Sequence, residues 1–530
     1  MSSDRRKFIQ QLCLGTAGLS LSSFTSQQWI TDVAAVKAFA RSIPEMEGVS
    51  SENILSFINA VEKDRLGLHS LMVVRHGKVV AEGWWDPYKP DLKHMLFSLS
   101  KSFTSTAVGF AVSEGRLTVE DKVISFFPNM LPDELTANLA AMRVKDLLTM
   151  TSGNGKDTMT PMRLGKESWV KTFLSLPVDH QPGTFFLYNS GATYMLSAIV
   201  QTLTGKTLVE YLKPRFFDPL EVKGADWETS PQGINTGAYG LRVKTEDIAK
   251  LGQFYLQKGK WNGKQLLPVK WVEEATSFQV PNVSLTTRDE RSDWQQGYGY
   301  QFWRCRHNLY RGDGAVGQFS IVMPEQDAVI AITSETSNMQ AIMNAVWNHL
   351  LPGIKNDRLP ANASLQKSLR YKLSSLTLLP AKTHINSAIG SGISGRKFTL
   401  QQNSIGAKEA TFTFDKDNCN FKIEDANMEY GITCGIDRFE KTDTFMPGDS
   451  TNLVEGNNNA TKAVKVAASG TWTDQNTFVM NWMFYETPHS DTVTCSFNNN
   501  AVTITFKNSM VGKNASFKES RPVLHGMLAV

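Results

Sequence analysis

Cysteine is scarce in this chain, five residues in 530, and the scarcity narrows the chemistry at once. Cys13 stands alone near the N-terminus, without the spacing of a lipid-attachment site. Cys305, Cys419, Cys434 and Cys495 fall in no paired Cys-x-x-Cys arrangement, which removes the usual signature of a structural zinc site. Nine histidines are scattered with no His-Glu-x-x-His spacing. That argues against a metal hydrolase, and no metal or other cofactor is expected. An excess of one charge is also missing, since 55 Lys and Arg stand against 51 Asp and Glu, a formal net charge of +4. The balance gives no reason to invoke nucleic acid as a partner. Beyond the N-terminal leader no run is long and apolar enough to cross a bilayer, so no membrane span is expected in the mature chain.

What remains is a globular composition, 41% apolar and 10% aromatic. The chain is longer than one core usually serves, and two or three domains are expected. The first residues read as an address: Ser3-Asp4-Arg5-Arg6-Lys7-Phe8-Ile9, then the mildly apolar Leu12 to Leu21 and a serine-rich stretch. This order is that of a twin-arginine signal over residues 1–30, and it implies a bacterial protein exported to the periplasm or the medium. In that compartment the three C-terminal cysteines can keep a disulfide, its pairing left open.

Helical spacing of Ile54, Leu55, Ile58 and Val61 predicts a helix over Glu52 to Lys63, and alternation predicts a hairpin from Ser70–Val74 and Val79–Trp84. Helical patterns fill the middle, over Tyr194 to Leu203, Thr207 to Phe217, Thr245 to Lys258 and Pro268 to Ser277. Tyr298 to Arg304, Gly317 to Met323 and Ala328 to Thr333 read as strands, and Met339 to Leu351 as a closing helix. The expected class is α+β: an antiparallel sheet flanked by helices, with an inserted helical lobe, over residues 45–355. Around Pro352 to Leu365 the character shifts. Residues 370–530 read as an all-β barrel or sandwich whose aromatics, Trp472, Trp482 and Phe484, are assigned to its core in preference to a binding face.

The chemistry centres on Phe97-Ser98-Leu99-Ser100-Lys101-Ser102-Phe103-Thr104, which follows the hairpin and begins an apolar helix. Residues three apart share a helix face, so the Ser98 hydroxyl and the Lys101 amine meet in the first turn. Serine attacks poorly until a base takes its proton, and lysine can be that base only when neutral. Lowering its pKa from about 10.4 towards 7 costs about 4 kcal/mol, and burial or nearby positive charge must supply the shift. The helix N-terminus adds free N–H groups for a developing oxyanion. Ser-x-x-Lys also occurs at Ser168/Lys171, Ser364/Lys367 and Ser394/Lys397, so only context singles out Ser98.

Further motifs follow in order: Leu147-Leu148-Thr149-Met150-Thr151-Ser152-Gly153, then Tyr188-Asn189-Ser190-Gly191-Ala192, then Gly312-Asp313-Gly314-Ala315-Val316-Gly317-Gln318. The ordered set resembles the serine β-lactamase and penicillin-binding-protein superfamily, in particular the branch of class C β-lactamase-related esterases and 6-aminohexanoate-dimer hydrolases. The resemblance implies a β-lactamase/transpeptidase-like fold, with Ser98 as acylated nucleophile, Lys101 as its base and Tyr188 as proton carrier. It places Ala315 first, and Gly314 second, as the backbone donor that completes the oxyanion hole with Ser98. Ser190 stands where the family usually has asparagine, and it is taken with Tyr300 and Trp303 as substrate-binding. Arg311-Gly312-Asp313 replaces the family's Lys-Thr-Gly, which argues against efficient β-lactam hydrolysis. The expected activity is acyl-transfer hydrolysis of a small-molecule ester or amide. The alternatives are a cell-wall D-Ala-D-Ala peptidase or β-lactamase, and a non-catalytic binding protein that uses its C-terminal β domain.

Overall fold

The computed structural model describes residues 39–283, 287–383, 385, 387–446, 453–454, 463–513 and 518–529. The export leader proposed for residues 1–30 lies outside them. The helix predicted near the start spans Ser51–Lys63, capped by Ser50, whose hydroxyl accepts from the Asn53 N–H at 3.2 Å. Its buried stripe, Ile54, Phe57, Ile58 and Val61, is spaced to face one neighbour, and it packs with the closing helix Met339–Ala345 and its extension Val346–Leu350.

That helix pair covers one face of a seven-stranded sheet. In order the strands are Ala40–Arg41, Lys78–Trp84, Leu68–Arg75, Ala328–Ser334, Gln318–Met323, Tyr310–Gly314 and Trp303–Arg304. Only the first pairing is parallel. The central strands are buried throughout, as a sheet covered on both faces requires. Alternate residues divide between two cores: Leu71, Val73, Ile330 and Ile332 face the terminal helices, and Met72, Val74, Val329 and Ala331 face the helical lobe. The lobe includes the helices Ser100–Ser113, Ser190–Thr204 and Thr245–Leu256. One sheet strand, Tyr310–Gly314, was not legible in the pattern, because Arg311-Gly312-Asp313-Gly314 carries no apolar alternation. Conversely, only Trp303–Arg304 of the strand expected over Tyr298 to Arg304 joins the sheet.

The C-terminal β region is a barrel. Nine strands run in the order Glu429–Ile436, Asn418–Glu424, Glu409–Phe414, Lys397–Leu400, Leu524–Leu528, Ala501–Asn508, Ser490–Asn498, Thr477–Met483 and Val464–Trp472, and Gly435–Ile436 pairs with Ser469–Gly470 to close the ring. Strict alternation fills it: Phe478, Met480 and Trp482 point inward from one strand and Cys419, Phe421 and Ile423 from another. Trp472, Trp482 and Phe484 are therefore core, and they offer no aromatic binding face. The disulfide left open for this region is not made. Cys419 and Cys434 face each other across paired strands, but all four described cysteines are free, serving as small apolar side chains in the interior. Position 370, where the sequence places the start of the β region, lies inside the helix Ala363–Ser374, whose Leu369 packs, with Leu376 beyond it, into the core that holds the Ser51–Lys63 helix.

Barrel and first domain meet over a histidine-rich seam. His69 Nδ1 and His94 Nε2 lie 3.0 Å apart, His69 stacks on Tyr88, and the Tyr88 hydroxyl donates to the Thr487 carbonyl at 3.0 Å. Burial lowers all three nearby imidazoles, His94 to about 4, His489 to about 3 and His69 well below its ordinary value. Their folded pKa values lie below those of the unfolded chain, so between pH 6.5 and about 4 the unfolded chain holds more protons. Stability is therefore expected to fall as pH falls through that window. Thermal melts at pH 7, 5.5 and 4.5 check this, and a His94→Gln variant should flatten the slope.

Candidate active site

The site begins where the chain leaves the short strand His94–Met95. The Leu96 N–H donates to the Leu241 carbonyl at 2.9 Å, and the Leu241 N–H donates to Ser100 Oγ at 3.2 Å. Phe97, at φ +47°, turns the chain sharply into a 3₁₀ turn, Phe97–Leu99, which runs straight into the helix Ser100–Ser113. A non-glycine residue in this region of backbone space costs about 1–3 kcal/mol and persists only where its surroundings impose it. Ser98 is left part-exposed at the turn while the helix behind it is almost wholly buried.

Lys101 lies one turn on and is 1% exposed. Its amine donates to Ser98 Oγ at 3.0 Å, to the Ala238 carbonyl at 3.0 Å and to Ser190 Oγ at 3.3 Å. Burial brings its pKa down to about 7, against the opposing pull of the Asp157 and Asp313 carboxylates. The shift asked of the sequence is thus met by desolvation, and no neighbouring cation is needed. At neutral pH a large share of the amine is uncharged, and it can then accept the Ser98 proton along the line of the same hydrogen bond.

Tyr188 closes the triangle. The Lys101 amine stands 4.7 Å from its ring centre, and the ring packs against Trp303 with centroids 5.3 Å apart. Burial pushes the phenol above its ordinary range, so it stays protonated and is suited to give a proton. Its position is set by Asn189, which is fully buried and caps the helix Ser190–Thr204. Asn189 Oδ1 accepts from the Gly191 N–H at 3.0 Å and the Thr158 hydroxyl at 2.8 Å, and its amide donates to Asn154 Oδ1 at 3.3 Å. The Leu147 to Gly153 motif is the support of this loop: the Leu187 N–H donates to the Met150 carbonyl at 2.9 Å and the Gly183 N–H to the Thr151 carbonyl at 2.8 Å.

The strand Tyr310–Gly314 passes directly over the Ser98 turn. A Cβ on Gly312 would stand 2.3 Å from Leu99 Cδ1, and one on Gly314 2.1 Å from the Leu96 carbonyl oxygen. Only glycine permits that approach, and the turn residue Ala315 that follows packs against the cluster holding Phe97, the residue before Ser98. The Ala315 N–H donates to no residue among those described, whereas Gly314 is paired within the strand hairpin. Arg311 and Asp313 point the other way. Their 2.7 Å ion pair is buried, and the guanidinium also donates to the Asp293 carbonyl at 2.8 Å and to Cys305 Sγ at 3.1 Å.

Of the residues singled out from sequence, Ser98, Lys101, Tyr188, Ser190, Trp303, Gly314 and Ala315 come together. Ser190 serves the lysine, and its N–H donates to Asp157 at 2.9 Å. Tyr300 does not join them. The chain reverses between Gly299 and Phe302 (N–H to carbonyl, 2.8 Å) through Gln301 at φ +64°. Tyr298 and Trp303 therefore face Tyr188, and Tyr300 emerges on the far side, against Trp271 in a separate cleft lined by Lys145 and Glu274. Asp157 and the Ala238 carbonyl were missed, since a carboxylate outside any motif and a main-chain oxygen leave no sequence signal, and Asp313 was read only as part of the segment that replaces Lys-Thr-Gly. The other Ser-x-x-Lys matches have plain explanations. Ser168 caps a short helix by accepting from the Lys171 N–H at 3.2 Å, Ser364 and Lys367 are both exposed, and Lys397 pairs with Glu409 and Glu424 on the barrel surface.

Residues 56–348, which contain this whole arrangement, match the model of the family described as beta-lactamase. Among curated proteins, the chain is 26% identical over 308 residues to a 6-aminohexanoate-dimer hydrolase of Paenarthrobacter ureafaciens, covering 54% of this chain and 77% of the relative. It is 28% identical over 347 residues to an N-acetylmuramyl-L-alanine amidase of Bacillus subtilis, covering 51% and 78%. Among solved structures, SurE aligns over 90% of this chain and 99% of its own, at 16% identity and a TM-score of 0.46.

Proposed function

Because the chain belongs to the beta-lactamase family, we propose that it is a serine hydrolase that cleaves a small linear amide or ester through an acyl-enzyme on Ser98. The observation that carries this reading is the buried Lys101 amine, 3.0 Å from Ser98 Oγ and with its pKa brought to about 7. As the substrate carbonyl settles near the Ser98 and Ala315 N–H groups, Lys101 takes the hydroxyl proton and Oγ forms the bond to carbon. Tyr188 gives its proton to the departing nitrogen or oxygen and recovers one from Lys101. Water then attacks the ester, its proton passes back through Tyr188 and Lys101, and Ser98 Oγ leaves protonated, so the cycle closes without a cofactor.

The site disfavours penicillin-type substrates. Where Lys-Thr-Gly would offer a cation to a carboxylate, Arg311 is 0% exposed, with its Nε given to Asp313 and its Nη1 to the Asp293 carbonyl and Cys305. Amide turnover is favoured by the names of the two curated relatives, a 6-aminohexanoate-dimer hydrolase and an amidase, and the twin-arginine pattern of residues 1–30 supports export to the periplasm or the medium.

The test is mass spectrometry after a fluorophosphonate probe. A single adduct on the peptide holding Ser98 is expected, and an adduct at Ser168 or Ser364 instead would refute the assignment. Strong labelling at Ser98 by a fluorescent penicillin would move the protein to the peptidase and β-lactamase side of its family.

A further inference from the structure

The two N–H groups assigned to the oxyanion hole are each flanked by a left-handed residue. Phe97, at φ +47°, immediately precedes Ser98, and Val316, at φ +58°, immediately follows Ala315. Neither is glycine, and a β-branched residue there is an outlier that something must hold in place. Main-chain bonds hold part of it: the Val316 carbonyl accepts from Ser334 Oγ at 2.8 Å and from the Thr336 N–H at 3.0 Å. The side chains are held elsewhere. Phe97 and Val316 enter one apolar knot with Met95 and Met510, all buried, and Ala315 itself is packed against it.

Met510 belongs to the barrel. It follows the strand Ala501–Asn508, is 0% exposed, and reaches out of the barrel to the knot. A second barrel residue, His489, sets its ring edge-on to Phe97, with centroids 5.4 Å apart and planes at 85°. The Met95 N–H also donates to the barrel's Glu486 carbonyl at 3.1 Å. The contact between domains thus falls on the backbone beside both donors.

Resting on the hydrolase reading above, we propose that the C-terminal barrel completes the catalytic apparatus, and that Met510 is the positioning residue through which it fixes the Ser98 and Ala315 N–H groups. Methionine suits the task, since an unbranched thioether fills the irregular gap between a phenyl ring and a valine. An oxyanion donor is effective only within a few tenths of an ångström of its proper place, so slack in the knot is read in the transition state and hardly in substrate binding.

The experiment compares wild type, Met510→Leu and Met510→Ala on a p-nitrophenyl ester and measures inhibition by a simple alkyl boronic acid, whose tetrahedral adduct places an oxygen in the same hole. Met510→Ala is expected to lower kcat about 10- to 100-fold with KM within about threefold, and boronic acid affinity should fall in parallel. Met510→Leu should restore most of the loss. Truncation can loosen the barrel, so Val316→Ala is measured as well, from the catalytic side. It should lower kcat in the same way, and the double variant should lose less than the product of the two single losses. A folded Met510→Ala or Val316→Ala enzyme with wild-type kcat and boronic acid affinity overturns the positioning role and leaves the hydrolase reading standing. A wild-type enzyme that neither turns over esters or amides nor takes the fluorophosphonate at Ser98 overturns both.

Discussion

Ser98→Ala is expected to reduce turnover by about 10⁵-fold or more, the loss typical of removing a serine nucleophile, while the fold is unchanged. The Ser98 hydroxyl accepts one of three bonds from Lys101, and the other two, to the Ala238 carbonyl and Ser190 Oγ, survive its removal. Ser98 is also only part-buried, so its truncation opens no cavity in the core. A melting temperature within a few degrees of wild type, no fluorophosphonate adduct and background hydrolysis form the expected result. A variant that keeps more than about 1% of the wild-type rate would show that the reaction does not run through this oxygen.

Lys101→Met removes the base and keeps most of the side-chain volume, and kcat/KM is expected to fall by about 10⁴-fold. In the wild type the active form is the neutral amine. The rate should therefore rise with pH through about 7, as Lys101 loses its proton, and the variant should lose that limb. The effect of the substitution on stability has the opposite sign to its effect on activity. Between pH 7 and 10.5 the unfolded chain holds a proton that folded Lys101 has given up, so stability rises with pH across that window and is lowest on its acid side. Replacing the buried amine with an apolar chain of similar length is expected to stabilise the protein by a few kcal/mol at pH 7 and by progressively less towards pH 10. A variant that is both less active and less stable at pH 7 would mean that burial of this amine is not what lowers its pKa.

Such opposed effects are expected where the fold holds groups against their own preference. The left-handed residues Phe97, Met150, Gln301 and Val316 make the same point. Phe97 and Val316 flank the assigned oxyanion donors, the Met150 carbonyl anchors the Tyr188 loop, and the Gln301 carbonyl accepts from Ser102 Oγ, on the nucleophile helix, at 2.9 Å.

By itself the sequence determined whatever depends on neighbours a few residues apart. Ser98 and Lys101 meet because one helical turn brings i and i+3 together. The Ser51–Lys63 helix, the hairpin beside it and the barrel interior were legible for the same reason, since periods of 3.6 and 2 are written into consecutive side chains. Tertiary structure alone decided the rest. Lys101 has its pKa lowered to about 7 because everything packed around it excludes water, and its third partner is a carbonyl 137 residues away. The strand Tyr310–Gly314 is a strand because the sheet accepts it, against its own glycine-rich composition. Tyr300 and Trp303 part company at a single left-handed residue, and Met510 reaches Phe97 only once the barrel has closed and docked. Desolvation and long-range contact belong to the whole packed chain, and no window of residues carries them.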